Sequence, residues 1–333
     1  MVKWFGFAKS VESSKDVAAW ESALKVGDKW RFNVIRVPFL FSTLDTAVMD
    51  KILTLIASHG AKAVLDFHCL EQYTSDPKLG SQALVDAWVK LVTHYKDDTR
   101  IVAWQIVNEP SAGCLDPTIK GNNTAIMNAL SVLVDAIRRV DPVRPIVWPP
   151  SSFWGDGALP AANKRSNVIL DIHPYPYGGK TNWVDLQTIA DWRINKAKGY
   201  VSSGQFDDVW CGEFENNKRG SADPKLQLQY AVYMMQACVK EDFGFSLWKY
   251  PGPDDAGTLS DQYISPSGYV PSPTPNPQPV DPCADLRAQV LDLNKKLAVV
   301  NTQLQQVSSS NQSLQDLATA LKAKIAKAVA DLQ

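Results

Sequence analysis

Two glutamates stand at the ends of short apolar runs far apart in the chain: Glu109, in Ile106-Val107-Asn108-Glu109-Pro110, and Glu213, in Gly212-Glu213-Phe214. Other runs of the same kind end near Arg36, at His68, at His173-Pro174-Tyr175 and at Trp248. Two carboxyls can divide the work on an acetal, one protonating the departing oxygen while the other attacks or stabilises the carbon left behind, and glycoside hydrolysis needs such a pair. A lone glutamate at a strand end reads most simply as a salt-bridged surface residue. Six polar residues at equivalent strand ends are hard to explain as scaffold. No Ser-His-Asp set and no phosphate-cradling glycine loop competes with this reading. The five Cys show no C-x-x-C and no His spacing suited to zinc, so neither a metal nor a cofactor is expected.

Strand ends need strands. Short β-branched or aromatic runs occupy Val2–Phe7, Phe32–Phe39, Ala63–His68, Ile101–Glu109, Pro145–Pro149, Val168–Tyr175, Asp207–Phe214 and Phe243–Tyr250. Amphipathic helical stretches lie between most of them, among them Leu44–Ser58, Ser81–Tyr95, Ala125–Val140 and Lys225–Lys240. A doubly wound sheet shares this alternation, but eight units over about 250 residues are the signature of a (β/α)8 TIM barrel, whose active site forms at the C-terminal ends of the strands. Pro251–Ile264 shows no clear final helix. Trp20, Trp88 and Trp192 fall in helical stretches and are expected in the core. Asp66 and Asp171 precede two histidines by two positions, so they point the same way but deeper, where they would satisfy polar groups inside the barrel.

Composition sets the limits. Of 333 residues, 45% are hydrophobic and 21% charged, and 34 Lys and Arg against 35 Asp and Glu leave a net charge of −1. That balance argues against nucleic acid or an anionic membrane as partner, and no run of eighteen apolar residues suggests a transmembrane helix. Eleven Trp is an excess that suits flat rings displayed to a ligand. Residues 1–264 are read as one catalytic domain. Residues 265–282, SPSGYVPSPTPNPQPVDP, are too rich in Pro for helix or central strand and read as a semi-rigid linker. From Leu286 to Leu332 apolar residues recur by threes and fours without a break, the pattern of a coiled coil over residues 283–333. A lone helix folded back on the barrel, or a hairpin at Ser308–Ser310, is the blander alternative. Asn311 at an a position favours a dimer, whereas Leu at a with Val at d leans toward three or four chains; the expectation is a homo-oligomer, with a trimer favoured over dimer or tetramer. Cys283, at the preceding a position, could lock its start by an interchain disulfide.

At its strand ends the chain resembles glycoside hydrolase family 5, of the retaining endoglucanase (cellulase) type. The residues carrying the resemblance are Ile35-Arg36-Val37-Pro38-Phe39, Leu65-Asp66-Phe67-His68, Ile106-Val107-Asn108-Glu109-Pro110, His173-Pro174-Tyr175, Gly212-Glu213-Phe214 and Trp248, with Trp4-Phe5-Gly6-Phe7 as the opening strand. Asn-Glu-Pro alone recurs more widely; the full ordered set is what points to this family. The resemblance implies that Glu109 is the acid/base and Glu213 the nucleophile of a covalent mechanism, and that Asn108 bonds the sugar 2-hydroxyl. Arg36 and Tyr175 would hold Glu213 charged and oriented. His68 and His173 would line the sugar site, over a floor made by Trp248. Whether Arg36 approaches Glu213 or Glu109 is open at this level. Trp154 and Trp183, in loops after strands 5 and 6, are further substrate-binding candidates, with rim packing the alternative; Tyr177 is similar. Cys69 and Cys114 follow neighbouring strands and either pair or stay as buried thiols.

The resulting expectation is endo-acting hydrolysis of a β-1,4-glucan, the polysaccharide being the partner. Mannan, xyloglucan or mixed-linkage glucan are the alternatives with the same catalytic pair. An alternative of another class is a non-catalytic glycan binder made multivalent by its stalk, which gains avidity without new contacts. No signal peptide is evident, although the activity suits a secreted protein. If the tail is an intermolecular coil, deleting residues 283–333 should give a smaller assembly, with fewer chains per particle by light scattering, and leave activity on short soluble substrates unchanged. An unchanged number of chains per particle would refute the coil.

Overall fold

Residues two apart along a strand share a face, so a strand buried on both sides shows two separate apolar sets. Both sets are present here, and they sort into two cores. The computed structural model describes residues 4–11, 17–29, 32–70, 72–110, 114–149, 166–176, 182–214 and 223–248, all within the first of the chain's two units, Met1–Pro271. The expected linker, the coil, the segment after strand 8, Trp154 and Tyr177 lie outside them.

The described strands are β1 (Phe5–Ala8), β2 (Val34–Phe39), β3 (Lys62–Phe67), β4 (Ile101–Gln105), β5 (Ile146–Trp148), β6 (Val168–Ile172), β7 (Asp208–Phe214) and β8 (Gly244–Leu247). They pair in parallel in sequence order, and β8 closes on β1 through Phe5↔Phe245 and Gly6↔Ser246. The protein is a (β/α)8 barrel. Its described helices are α1 (Val17–Lys29), α2 (Thr46–Ser58), α3 (Gln82–Tyr95), α4 (Asn123–Arg138), α5 (Trp183–Ser202) and α6 (Pro224–Lys240). From α2 onward each is started by a short polar side chain that accepts from a free N–H of the first turn: Asp45, Ser81, Asn122, Asn182 and Asp223. These caps explain why α2 begins at Thr46 rather than Leu44, and α4 at Asn123 rather than Ala125.

One strand face looks outward. Ile35, Val37, Phe39, Ala63, Leu65 and Phe67 meet Trp20, Ile52, Ile56 and Trp88 of the helices in the larger core. The other face looks inward, where Trp4, Val34, Val64, Ala103, Val147, Ile169 and Trp210 fill the barrel's N-terminal end. Trp4 and Trp210 meet edge to face at 5.9 Å there, the arrangement aromatic quadrupoles prefer. Trp20 and Trp88 are buried as expected. Trp192 is not: it is 46% exposed, with Arg193 and Lys196 at 5.0 and 4.8 Å from its ring. The buried stripe of α5 runs through Leu186, Ala190, Arg193 and Ala197, and position 192 falls beside it.

β4, β6 and β8 each end several residues earlier than the sequence suggests. β4 stops at Gln105, β6 at Ile172 and β8 at Leu247; past β6, Pro174 lacks the N–H that a further ladder bond would need. The chain still leans on its neighbour: Asn108 N–H donates to Phe67 C=O at 3.0 Å. Cys69, beyond β3, and Cys114, beyond β4, form a disulfide with Cα atoms 5.5 Å apart. Next to it, Leu79 and Leu115 pair as an isolated parallel bridge. Together they brace the loop that carries Glu109. Cys211 and Cys238, by contrast, are buried free thiols.

The disulfide closes a loop spanning a sequence separation of 45 residues, which in the chain-entropy picture is worth about 4 kcal/mol. Cys69→Ala with Cys114→Ala should therefore lower the urea midpoint with an unchanged barrel circular dichroism spectrum. Equal midpoints for the two proteins would show that the bridge contributes nothing to stability.

Candidate active site

The inward faces of the strands carry a second tier, two residues beyond the apolar plug. Val34 is followed by Arg36, Val64 by Asp66, Ala103 by Gln105 and Ile169 by Asp171, each of the four polar side chains fully buried. Buried polar groups persist only when paired, and these pair with one another. Arg36 Nε donates to Gln105 Oε1 at 2.7 Å, and its Nη2 reaches Asn108 Oδ1 at 2.7 Å and Asp66 Oδ2 at 2.9 Å. Its Nη1 donates to Glu213 Oε1. The guanidinium thus approaches Glu213, the alternative left open by the sequence. Burial by itself would lower the Arg36 pKa, but the charges of Asp66, Glu213 and Asp171 outweigh it and raise the value.

Two positions higher come His68 and His173. His68 Nδ1 faces Asp66 Oδ2 at 2.7 Å, and its ring stacks on Trp248 at 4.8 Å and 13°. Trp248 also receives the Arg36 guanidinium at 5.4 Å. His173 is fully buried between two carboxylates: Nδ1 lies 2.6 Å from Glu109 Oε1 and Nε2 lies 3.0 Å from Asp171 Oδ2. Its Nδ1 is also 3.5 Å from Glu213 Oε2. Burial opposes its positive charge, yet Glu213 and Asp171 prevail and hold the imidazole pKa well above its usual range. Asp66 is displaced the other way: burial would raise it, and Arg36 and His68 bring it below the ordinary carboxylate range. Tyr175 donates its hydroxyl to Glu213 Oε2 at 3.3 Å.

One carboxylate oxygen of Glu109, one of Glu213 and a ring nitrogen of His173 all lie within 4.8 Å of one another. Such a trio could surround a metal ion in outline. Here its donor atoms are engaged with each other, and Glu213 is bonded to a guanidinium, which disfavours a second cation.

Arg36, His68, Asn108, Glu109, His173, Tyr175, Glu213 and Trp248 are therefore brought together at one end of the barrel. Trp183 is the first residue of α5, and its ring meets Tyr233 of α6 edge-on at 5.4 Å; that contact is rim packing. Gln105 escaped the sequence reading, and Asp66 and Asp171 were read only as interior groups. Their signal was present: Gln105 is a polar residue with inward parity in an apolar run, and Leu65-Asp66-Phe67-His68 is echoed by Leu170-Asp171-Ile172-His173.

The family model of cellulase (glycosyl hydrolase family 5) matches residues 1–252. The chain belongs to glycosyl hydrolase family 5. Solved structures similar to this family 5 barrel include the clostridial cellulose synthase subunit Z of Clostridioides difficile, with a TM-score of 0.63 and 16% identity, covering 79% of this chain and 98% of that one. Endoglucanase Cel5A of Thermotoga maritima follows at 0.61 and 15%, covering 78% and 95%. A broad-specificity endoglucanase of Clostridium acetobutylicum gives 0.55 and 18%, covering 74% and 88%. At such identities the likeness establishes the fold. No curated protein sequence matches this chain significantly.

The direction of the Asp66 shift makes a test. A carboxylate held below its unfolded value of about 3.9 contributes stability that is complete above that pH and lost as pH falls through the folded value. Asp66→Asn should melt lower than the parent at pH 7, by about 2 kcal/mol for a lost charge-assisted bond, and the gap should close below about pH 4. A gap independent of pH would mean that Asp66 acts through shape and not charge.

Proposed function

We propose that the protein is a retaining, endo-acting hydrolase of β-1,4-glucans, with Glu213 as nucleophile and Glu109 as acid/base. The observation that carries this reading is the pair itself: carboxylate oxygens within 4.8 Å, of which only Glu213 is bonded to Arg36. Carboxyls about 5 Å apart leave no room for a water between nucleophile and sugar, which favours a covalent glycosyl-enzyme; inverting pairs stand roughly 6.5–9.5 Å apart. Arg36 pairs with Glu213 and aims it, as a nucleophile must be aimed. Glu109, bonded instead to His173, gives its proton to the leaving oxygen and then takes one from the incoming water.

Neighbouring side chains fit this division. A guanidinium can only donate, so Arg36 fixes the Asn108 carbonyl toward itself and turns the amide nitrogen away, 3.5 Å from His68 Nε2, with a second N–H left for a sugar hydroxyl. Trp248, steadied by His68 and Arg36, offers an aromatic face to a sugar ring. Thermotoga maritima Cel5A has been crystallised with mannotriose and with cellobiose, so mannans belong in any substrate panel. Residues 283–333 would gather several barrels onto one polymer, in keeping with work outside the cell.

Reducing-end release from carboxymethyl cellulose, glucomannan, galactomannan and xyloglucan tests the reading. Release should be greatest on the glucan and should fall at least about a thousand-fold in Glu213→Gln. No release from any of the four would sink the hydrolase and bring forward a multivalent glycan binder.

A further inference from the structure

His173 stands between the two catalytic carboxylates, and what it can do there depends on which ring nitrogen carries a proton. That is decided from beneath, by Asp171. Arg36 only donates, so Gln105 must present its carbonyl to Arg36 Nε and its NH2 to Asp171 Oδ2, at 2.6 Å. The other oxygen, Oδ1, accepts from the Gly212 N–H at 2.9 Å. Both oxygens of Asp171 are thus acceptors, and His173 Nε2, 3.0 Å from Oδ2, must be the donor. This leaves Nδ1 to face Glu109 Oε1 at 2.6 Å.

We propose that Asp171 is a positioning residue for catalysis: it fixes the proton on His173 Nε2, so that Nδ1 and Glu109 hold one shared proton for the leaving oxygen. The inference rests on Glu109 being the acid/base. In the glycosylation step the shared proton leaves through Glu109 to the departing oxygen. The anomeric C–O bond breaks and a bond from Glu213 forms. In the second step water attacks the same carbon, its proton passes to the Glu109–His173 pair, and the bond to Glu213 is released. Nothing is oxidised or reduced, and the pair ends as it began. A buried Asp plays the equivalent part for the base of a Ser-His-Asp triad, where losing it leaves the ring in the wrong tautomer.

The charges around the ring are Glu109 beyond β4, Asp171 on β6 and Glu213 on β7, with Arg36 on β2 and Asp66 on β3 below. Asp171 also reaches the nucleophile's own backbone. A Cβ at Gly212 would fall 2.3 Å from Asp171 Oδ1, so only glycine lets the carboxylate hold the N–H next to Glu213. One side chain therefore steadies both halves of the catalytic pair.

The test is Asp171→Asn in the full-length chain. The amide keeps the shape and the acceptor for Gly212, but its NH2 replaces Oδ2, so His173 keeps a proton only on Nδ1 and would be left an imidazolate on giving it up. Gln105 loses the same acceptor. Gln105→Met, which leaves the Asp171–His173 contact, is therefore run beside it and should not separate the two substrates below. Hydrolysis of unactivated β-glucan should fall by about a hundred-fold or more, the usual worth of general acid–base help. Cleavage of a 2,4-dinitrophenyl cellobioside, whose leaving group needs no proton, should keep its kcat/KM within a few-fold. Azide, a nucleophile that needs no base, should speed its turnover and yield the glycosyl azide. Equal losses on both substrates, or no loss on either, would overturn the proposal. A parent protein inactive on both would instead overturn the hydrolase reading. If the variant does not fold, histidine-selective 15N NMR of the parent decides: among four histidines, the resonance removed by His173→Gln should show a proton on Nε2, and a bare Nε2 with protonated Nδ1 would refute the assignment.

Discussion

The Arg36 guanidinium, buried without solvent exposure, is the group on which the site depends. Left alone, such a charge would cost several kcal/mol or more to desolvate. Asp66, Gln105, Asn108 and Glu213 together supply it with acceptors, and they come from β3, from β4 and the segment beyond it, and from β7. The need to satisfy one cation therefore fixes the relative positions of three separate parts of the chain. Breaking any one contact leaves a buried charge short of a partner, which penalises every arrangement but this one.

The same cation separates two carboxyls of identical chemistry. Glu213 lies against Arg36 and Tyr175, Glu109 against His173. Low polarity beneath the site makes these differences count, because charges interact more strongly where water is excluded. The apolar plug of Trp4, Val34, Val64, Ala103, Val147, Ile169 and Trp210 provides that exclusion. Its shape is part of the function: Gly6 sits where a Cβ would be 1.8 Å from the Val34 carbonyl oxygen, so β1 and β2 approach as closely as the barrel's closure demands.

The buried polar tier and the histidine tier above it are then consecutive steps of one alternation. Along β3 the inward residues are Val64, Asp66 and, just past the strand, His68; along β6 they are Ile169, Asp171 and His173. Apolar plug, charged support and imidazole follow in that order on both. The support tier lies beneath the rings and holds them in place, Asp66 against His68 and Asp171 against His173.

Much of this was legible in the chain. The eight apolar runs and the alternation by two are local properties, and they determined the barrel and the end at which the polar residues gather. The paired glutamates, the histidines and Trp248 announced themselves as polar or aromatic residues closing apolar runs. Where β4 and β6 stop was less legible, because the residues that carry the alternation past the last ladder bond look the same in sequence as strand residues. Which carboxylate receives Arg36, whether Cys69 meets Cys114, and that Gln105 joins Arg36 to Asp171 were decided only by tertiary structure. Each is a meeting of residues 45 to 177 positions apart, and closure of the barrel, not local periodicity, sets which strands face one another across its interior.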